Sequence, residues 1–263
     1  MSERVGEHQQ QPPRGSLEVV IDAVVTLSRD PALFVPYLLA GLVVAVIDAV
    51  QIDGPLPVDV QTVATSGLVH VRIRPFPGVV RVVHPWLGGV LGLEPWALLT
   101  TIAATGVVVA GSVLAMAVVV VRADRAASLT RQTGGRLLLY ALAVGGAMAA
   151  VESLAHWYGF PATMLAVLGT LLLAMRTFPV PVLVLRGRSL PDALARGVRL
   201  TGGHTLCTFG LVVGLGLGAH LLASPVPLLD IDLPLAVGTL LATTVVGPVH
   251  ALATLHATET FET

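Results

Sequence analysis

RGRSLPDALARGVRLTGGH, residues 186–204, separates two long apolar runs, and its reading decides the layout of the whole chain. Ser189 is a good N-cap, Pro191 stands in the first turn where its missing N–H costs nothing, and Asp192 at the third helical position complements the helix dipole. A helix starts here, and Gly202 and Gly203 stop it. Within it Asp192, Arg196 and Arg199 share one face at i, i+4 and i+7, while Leu190, Leu194 and Val198 share another. An arginine-bearing amphipathic helix between two runs of bilayer length is expected to lie in the headgroup layer on the cytoplasmic side. The competing reading is an ordinary polar connector that happens to be helical.

The composition agrees with that setting. Of 263 residues, 54% are hydrophobic and only 12% charged, and the mean hydropathy is +0.84. Soluble domains carry about 25% charged residues, so an integral membrane protein is expected before any motif is read. All 15 basic residues are Arg, with no Lys, which reflects genome composition rather than mechanism. A net charge of -1 and the lack of a long basic run argue against nucleic acid as a partner. Cys207, alone, cannot form an internal disulfide. Residues 1–15, MSERVGEHQQQPPRG, are expected to form a disordered cytoplasmic tail and not a signal peptide, leaving targeting to the first transmembrane helix.

Outward from the central segment, six spans are expected, near 32–50, 95–121, 137–157, 161–185, 205–223 and 235–256, each close to the roughly 20 apolar residues a bilayer core demands. Before the first span, Glu18, Asp22, Thr26 and Arg29 form one face of a second interfacial helix, and Leu17, Val20, Ile21, Val24 and Leu27 form the other. Asp30 and Pro31 then open the first span. Residues 51–94 make the long outer loop, in which LVHVRIR (68–74) alternates like a half-exposed strand, PFPG supplies a turn and VVRVVH (79–84) returns. A small outer β-hairpin is expected there, and PWLGGVLGL leads back toward the membrane, with a re-entrant segment as the competing reading. Residues 257–263 are expected to be a cytoplasmic tail. The fold class is thus all-α: a polytopic six-helix bundle with interfacial helices and one small hairpin.

Charge sets the direction. Arginines crowd the N-terminal segment, the second loop (Arg122, Arg125, Arg131, Arg136) and the fourth loop, while the third and fifth loops have none. Only Arg72, Arg74 and Arg81 lie on the other side, inside the long first loop, so both termini are expected in the cytoplasm and the protein in the cell membrane. Small residues recur by fours as Gly210, Gly214 and Gly218 on the fifth span, as Ala141, Gly145, Ala149 and Ser153 on the third, and as Gly41, Ala45 and Ala49 on the first. In lipid, helix association rests on close backbone approach, so these faces are expected to be packed, the glycine seam above all.

Chemistry is sparse. Arg176 is the one charge expected well inside the bilayer, at an insertion cost of about 2.5–3.5 kcal/mol. Pro179 and Pro181 free nearby carbonyls for its guanidinium, so a structural use competes with a ligand or headgroup site formed by Arg176, Arg196 and Arg199. On the outer side Glu152 and His156 share a helical face, Asp230 and Asp232 form a D-x-D, and His220 ends the fifth span nearby; these five would hold a divalent ion only if the loops converge. No metal or other cofactor is expected. H-E-x-x-H, G-x-S-x-G and a P-loop lysine are all missing, so intramembrane proteolysis, acyl transfer and nucleotide hydrolysis lose support.

PALFVPYLLAGLVV (31–44) and FPVPVLVLRGRSLPDALARGVRLTGGH (178–204) resemble multi-pass membrane proteins of archaea and bacteria whose six-helix layout is shared with the membrane domain of some glycerophosphodiester phosphodiesterases. The resemblance covers about half the chain, and Gly197 stands where that group often has Ser. It implies the same bundle and brings no catalytic residues, because the phosphodiesterase chemistry belongs to a separate soluble domain. The expected role is a non-enzymatic membrane-organising or accessory component whose partners are membrane lipids and a further membrane protein. A small transporter subunit and an intramembrane lipid enzyme are the alternatives.

Overall fold

The computed structural model describes residues 15–53, 58–60, 78, 83–85, 94–158, 160–223 and 235–262. Its helices are α1 (Ser16–Arg29), α2 (Val35–Asp53, entered through a 3-10 turn at Pro31–Phe34), α3 (Pro95–Ala123), α4 (Arg131–Tyr158), α5 (Phe160–Thr177), α6 (Val180–Leu185), α7 (Leu190–Gly203), α8 (Thr205–Ala223) and α9 (Leu235–Glu262). Among the described residues, six helical stretches are long and apolar enough to cross a membrane. Their outward faces carry large apolar side chains such as Leu39, Leu99, Leu139, Leu165 and Leu221, each about half exposed or more. A belt of that extent is unsupportable in water and points to a membrane-embedded protein.

α9 is the central post, packed on α2, α8, α1 and α3, whereas α4 and α5 pair with each other at the edge of the bundle. α9 comes close against α2 at Gly247, where an added Cβ would overlap the fully buried Tyr37 ring, and at Thr243, which faces Gly41. Pro248, inside α9, removes one ladder hydrogen bond beside that contact.

The fourth span is broken rather than continuous over 161–185. Pro181 cannot donate to the carbonyl of Thr177, and the break falls there, between α5 and α6. The freed Thr177 carbonyl accepts a hydrogen bond from the Tyr140 hydroxyl of α4 at 3.1 Å, the internal satisfaction that a bilayer requires. The α6 end closes with Gly187 N–H on the Val184 carbonyl and Arg188 N–H on that of Leu183. Gly187, at φ 86°, occupies the left-handed position this closure needs.

α4 begins at Arg131, six residues ahead of the expected start at 137, because Thr130 caps it. The Thr130 hydroxyl accepts from the Thr133 N–H at 3.1 Å and the Thr133 hydroxyl accepts from the Thr130 N–H at 2.8 Å. Residues 257–262, expected as a tail, are helical, so α9 runs unbroken to Glu262. The expected hairpin of 68–74 on 79–84 is not supported. Residues 68–74 lie outside the described residues, and the short antiparallel pairing that is described joins Val58–Val60 to Val83–Pro85, closing the base of the loop instead of flanking a tight turn. Residues 1–14 and the 85–93 segment also fall largely or wholly outside the described residues.

Asp30 does not cap the turn that follows it. Its carboxylate is taken by Arg122 of α3, at 2.6 and 3.1 Å, and the guanidinium's hydrogen bonds hold the carboxyl below its usual range. A depressed folded-state value means that the clasp is fully formed above the ordinary carboxylate range and is lost only as the pH falls through the lowered value. Arg122→Gln should therefore return Asp30 to ordinary titration, followed through its carboxyl 13C shift. An unchanged titration would show that the two groups do not meet.

Candidate functional site

The chemistry gathers at one end of the bundle, where α1, the α3–α4 loop, the α6–α7 turn, α7, the start of α8 and the end of α9 meet. Arg186 is its hub. Its Nε donates to Asp124 at 2.7 Å, Nη1 to Glu262 at 2.8 Å and Nη2 to Glu259 at 3.4 Å, with the Arg186 side chain only 17% and that of Asp124 only 10% exposed. Arg196 on α7 donates two more hydrogen bonds to Glu262, at 3.0 and 3.1 Å. His256 contacts the Thr26 hydroxyl of α1 and the Glu259 carboxylate, at 3.1 and 3.3 Å. Three guanidinium–carboxylate links to the end of α9 explain why residues that read as a polar tail stay helical.

α7 is positioned by a stripe of small residues. Ser189 caps it by accepting from the Asp192 N–H, and Ala193, Gly197 and Thr201 are buried at i, i+4 and i+8. Gly197 sits so close to the α5–α6 break that an added Cβ would lie 2.9 Å from the Val180 side chain and 3.4 Å from the Arg176 carbonyl. The helix ends at His204, whose Nδ1 donates to the Leu200 carbonyl at 3.2 Å and whose ring stacks on Phe261 of α9 at 4.3 Å.

Of the three arginines proposed from the sequence, Arg196 is committed to Glu262, whereas Arg199 is exposed on α7. Arg176 is half-buried, and its guanidinium runs alongside the last turn of α7, with Nη1 3.6 Å from where a Gly202 Cβ would stand. The carbonyl freed by Pro181 is taken by Tyr140, not by Arg176. Among the described residues neither Arg176 nor Arg199 has a carboxylate partner.

Two adjoining clefts open beside these groups. One, of about 300 Å³, is lined by Arg196, Arg199, Leu200, Gly203, His204, Phe261 and Glu262. The other, of about 510 Å³, is lined by Gly15, Ser16 and residues 202–207. They share Gly203 and His204.

The outer constellation is not assembled by anything described. Glu152 and His156 lie on α4 with side chains outside the described residues, Asp230 and Asp232 fall in an undescribed segment, and His220 is half-buried on α8. Among the described residues no group of three or more metal-ligating side chains converges. The packing seam of the first span is buried, with Gly41 against Thr243 and Ala45 also covered, whereas those of the fifth and third spans are packed only in part. Gly210 meets Ser16 of α1, but Gly214 and Gly218 face open space, because α8 buries Thr208, Leu211, Val212 and Leu215 instead. On α4, Ala141 is buried and Ala149 partly so, but Gly145 is exposed with nothing within 4 Å of its added Cβ.

Sequence reasoning passed over a second polar feature. Thr239, Thr243, His250, Thr254 and Thr258 occupy one buried face of α9 at i, i+4, i+11, i+15 and i+19. At its far end the Thr239 hydroxyl donates to the fully buried Asp48 carboxylate of α2 at 2.9 Å. Thr254 and Thr258 donate to the carbonyls one turn back, and the His250 ring stacks on Phe178 at 5.7 Å. The helical spacing of the threonines was the signal that could have found it.

A search with this chain finds no matching family model, no matching curated protein and no matching solved structure.

Proposed function

We propose that this is a non-enzymatic membrane-organising or accessory component, seated in the cell membrane with its arginine-rich end and both termini in the cytoplasm. The reading rests on the division of α1 and α7 into three sectors. α1 buries Val19, Ala23 and Leu27 against the bundle, exposes Leu17, Ile21 and Val24 on a second side, and carries Glu18, Asp22 and Arg29 on a third. α7 buries Ala193, Gly197 and Thr201, leaves Leu194 and Val198 on one flank, and keeps Asp192, Arg196 and Arg199 on the other. A connector needs only a protein-facing and a water-facing side. A third, apolar side suits a helix lying at the lipid boundary, with its arginines among anionic headgroups. The six-span layout that resembles the phosphodiesterase-associated membrane domain fits an accessory role of this kind.

The test is reconstitution into vesicles of phosphatidylcholine with a minor fraction of fluorescent phosphatidylglycerol. Clustering of the anionic lipid around the protein is expected, and it should fall when Leu17 and Ile21 are both replaced by Ser; a uniform lipid distribution would count against an organising role. In a Cys207→Ser background, a cysteine at Ser128 should react only from the cytoplasm and one at Thr65 only from outside, and the opposite labelling would overturn the orientation.

A second reading, a small transporter subunit, is favoured by one observation: Asp48 is completely buried within a span, and intramembrane acids commonly line ion or substrate paths. Solute flux in the same vesicles, abolished by Asp48→Asn, would support that reading over the first.

A further inference from the structure

We propose that the paired clefts at the α7–α8 corner form a phosphate-binding site, the shared chemistry of an anionic lipid headgroup and of free phosphate. This rests on the membrane-organising reading and gives it a specific ligand. The argument begins with charge. Arg176 lies inside a span, where an unrelieved guanidinium is costly, and among the described residues it has neither a carboxylate partner nor a hydrogen-bond acceptor. The carbonyl of Thr177, freed by Pro181, is taken by Tyr140, and among the described residues Arg176 makes no hydrogen bond to the rest of the break. Arg176 instead points along α7 to Gly202, a lining residue of the larger cleft.

Arg199 and His204 approach the same corner from α7, and both line the smaller cleft. Glu262 is the one acid in either lining, and it is already covered by Arg186 and Arg196. Glu18 stands just beyond the larger cleft, its carboxylate accepting from the Gly15 N–H at 3.2 Å, so the uncancelled charge is that of Arg199 in the smaller cleft, with Arg176 behind Gly202. With no side chains, Gly202 and Gly203 leave the floor of the corner as bare backbone. The first-turn N–H groups of α8, at Thr205, Leu206 and Cys207, lack helical partners and line the larger cleft, which adds donors to a site the arginines already define. One wall is apolar: Leu206, which lines the larger cleft, is 86% exposed. A backbone floor beside Arg199 and an apolar flank at Leu206 together match an amphiphile whose phosphate enters the corner while its chains run down the outside of α8.

The experiment uses the full chain in nanodiscs of phosphatidylcholine, titrated with short-chain phosphatidic acid or with inorganic phosphate, and reads binding by calorimetry. Arg199→Gln, an exposed change that leaves the fold intact, should weaken phosphatidic acid binding by about tenfold, the size of one or two charge-assisted hydrogen bonds, and Arg176→Gln should do at least as much. Arg125→Gln, which removes the same charge from the same end outside the clefts, should leave binding nearly unchanged. Saturation by inorganic phosphate with the same arginine dependence would support the site and name free phosphate as its source; response to the lipid alone would name the headgroup. Equal loss in Arg125→Gln and Arg199→Gln would overturn the site in favour of a diffuse basic surface, while leaving the lipid clustering of the broader reading intact. Absence of any arginine-dependent binding would overturn it as well.

Discussion

Arg186→Leu is expected to destabilise the folded protein by about 3–5 kcal/mol, the usual consequence of removing one partner from a buried charge pair. The three carboxylates that Arg186 joins would not fare alike. Glu259, with its side chain 48% exposed, can turn into water, and Glu262 keeps Arg196. Asp124 is the costly one. It is 10% exposed, it closes α3, and its other oxygen is held by the Ala126 N–H at 2.8 Å, so it cannot swing out to recover hydration. Arg186→Lys keeps the charge but cannot reach three acceptors with one ammonium, and should lose roughly half as much. The double change Arg186→Leu with Asp124→Leu should recover most of the loss, because it removes both buried charges together. Thermal unfolding in detergent measures all three. If Arg186→Leu melts with the wild type, or if the double variant is no better than the single, the hub does not hold the α3, α6, α7 and α9 ends together.

Arg186 was visible in the sequence only as one more charge for orientation, and this marks where such reading stops. A bilayer imposes its own ruler, so six apolar runs and their ends near Pro31, Pro95, Thr205 and Leu235 could be found by counting. The amphipathic helices α1 and α7 followed from local spacing and caps, which need no partner. What failed was anything decided by a distant residue. Pro179 and Pro181 announced a weak point, but a helix of uninterrupted hydropathy was expected through it. The acceptor released there is satisfied by Tyr140, on a different helix. ATETFET read as a tail because threonine and glutamate look solvated; its glutamates are instead drawn to Arg186 and Arg196, and its Phe261 is buried against His204. Of the candidate site, Arg176 and Arg199 could be nominated from charge and depth. That Arg196 would be spent on Glu262, and that a histidine and a glycine pair would complete the corner, required the packing of α9 on α7.

The glycine seams lead to the second large effect. Gly247→Leu should destabilise the protein by about 3 kcal/mol or more, whereas Gly214→Leu should stay within about 0.5 kcal/mol of wild type. Spacing alone ranks them the other way, since Gly214 belongs to a regular run of three and Gly247 to none. Regular spacing shows only that a face is smooth, and a smooth face stabilises an assembly only where another backbone lies against it. At Gly214 open space lies outward, and a leucine there would meet lipid tails as compatible with it as any core. At Gly247 the first added carbon already overlaps the ring of Tyr37, which is fully buried between α2 and α9 and has no direction in which to retreat. Gly247→Ala should share the sign at about 1–3 kcal/mol, and Tyr37→Phe should not rescue it, since the clash is with the ring and not its hydroxyl. Tyr37→Leu combined with Gly247→Ala should recover part of the loss by vacating the ring volume. Detergent thermal melts of the five variants settle the matter: equal behaviour of Gly214→Leu and Gly247→Leu would mean that α9 does not press on α2 here, and the central post of the bundle would have to be sought in another helix.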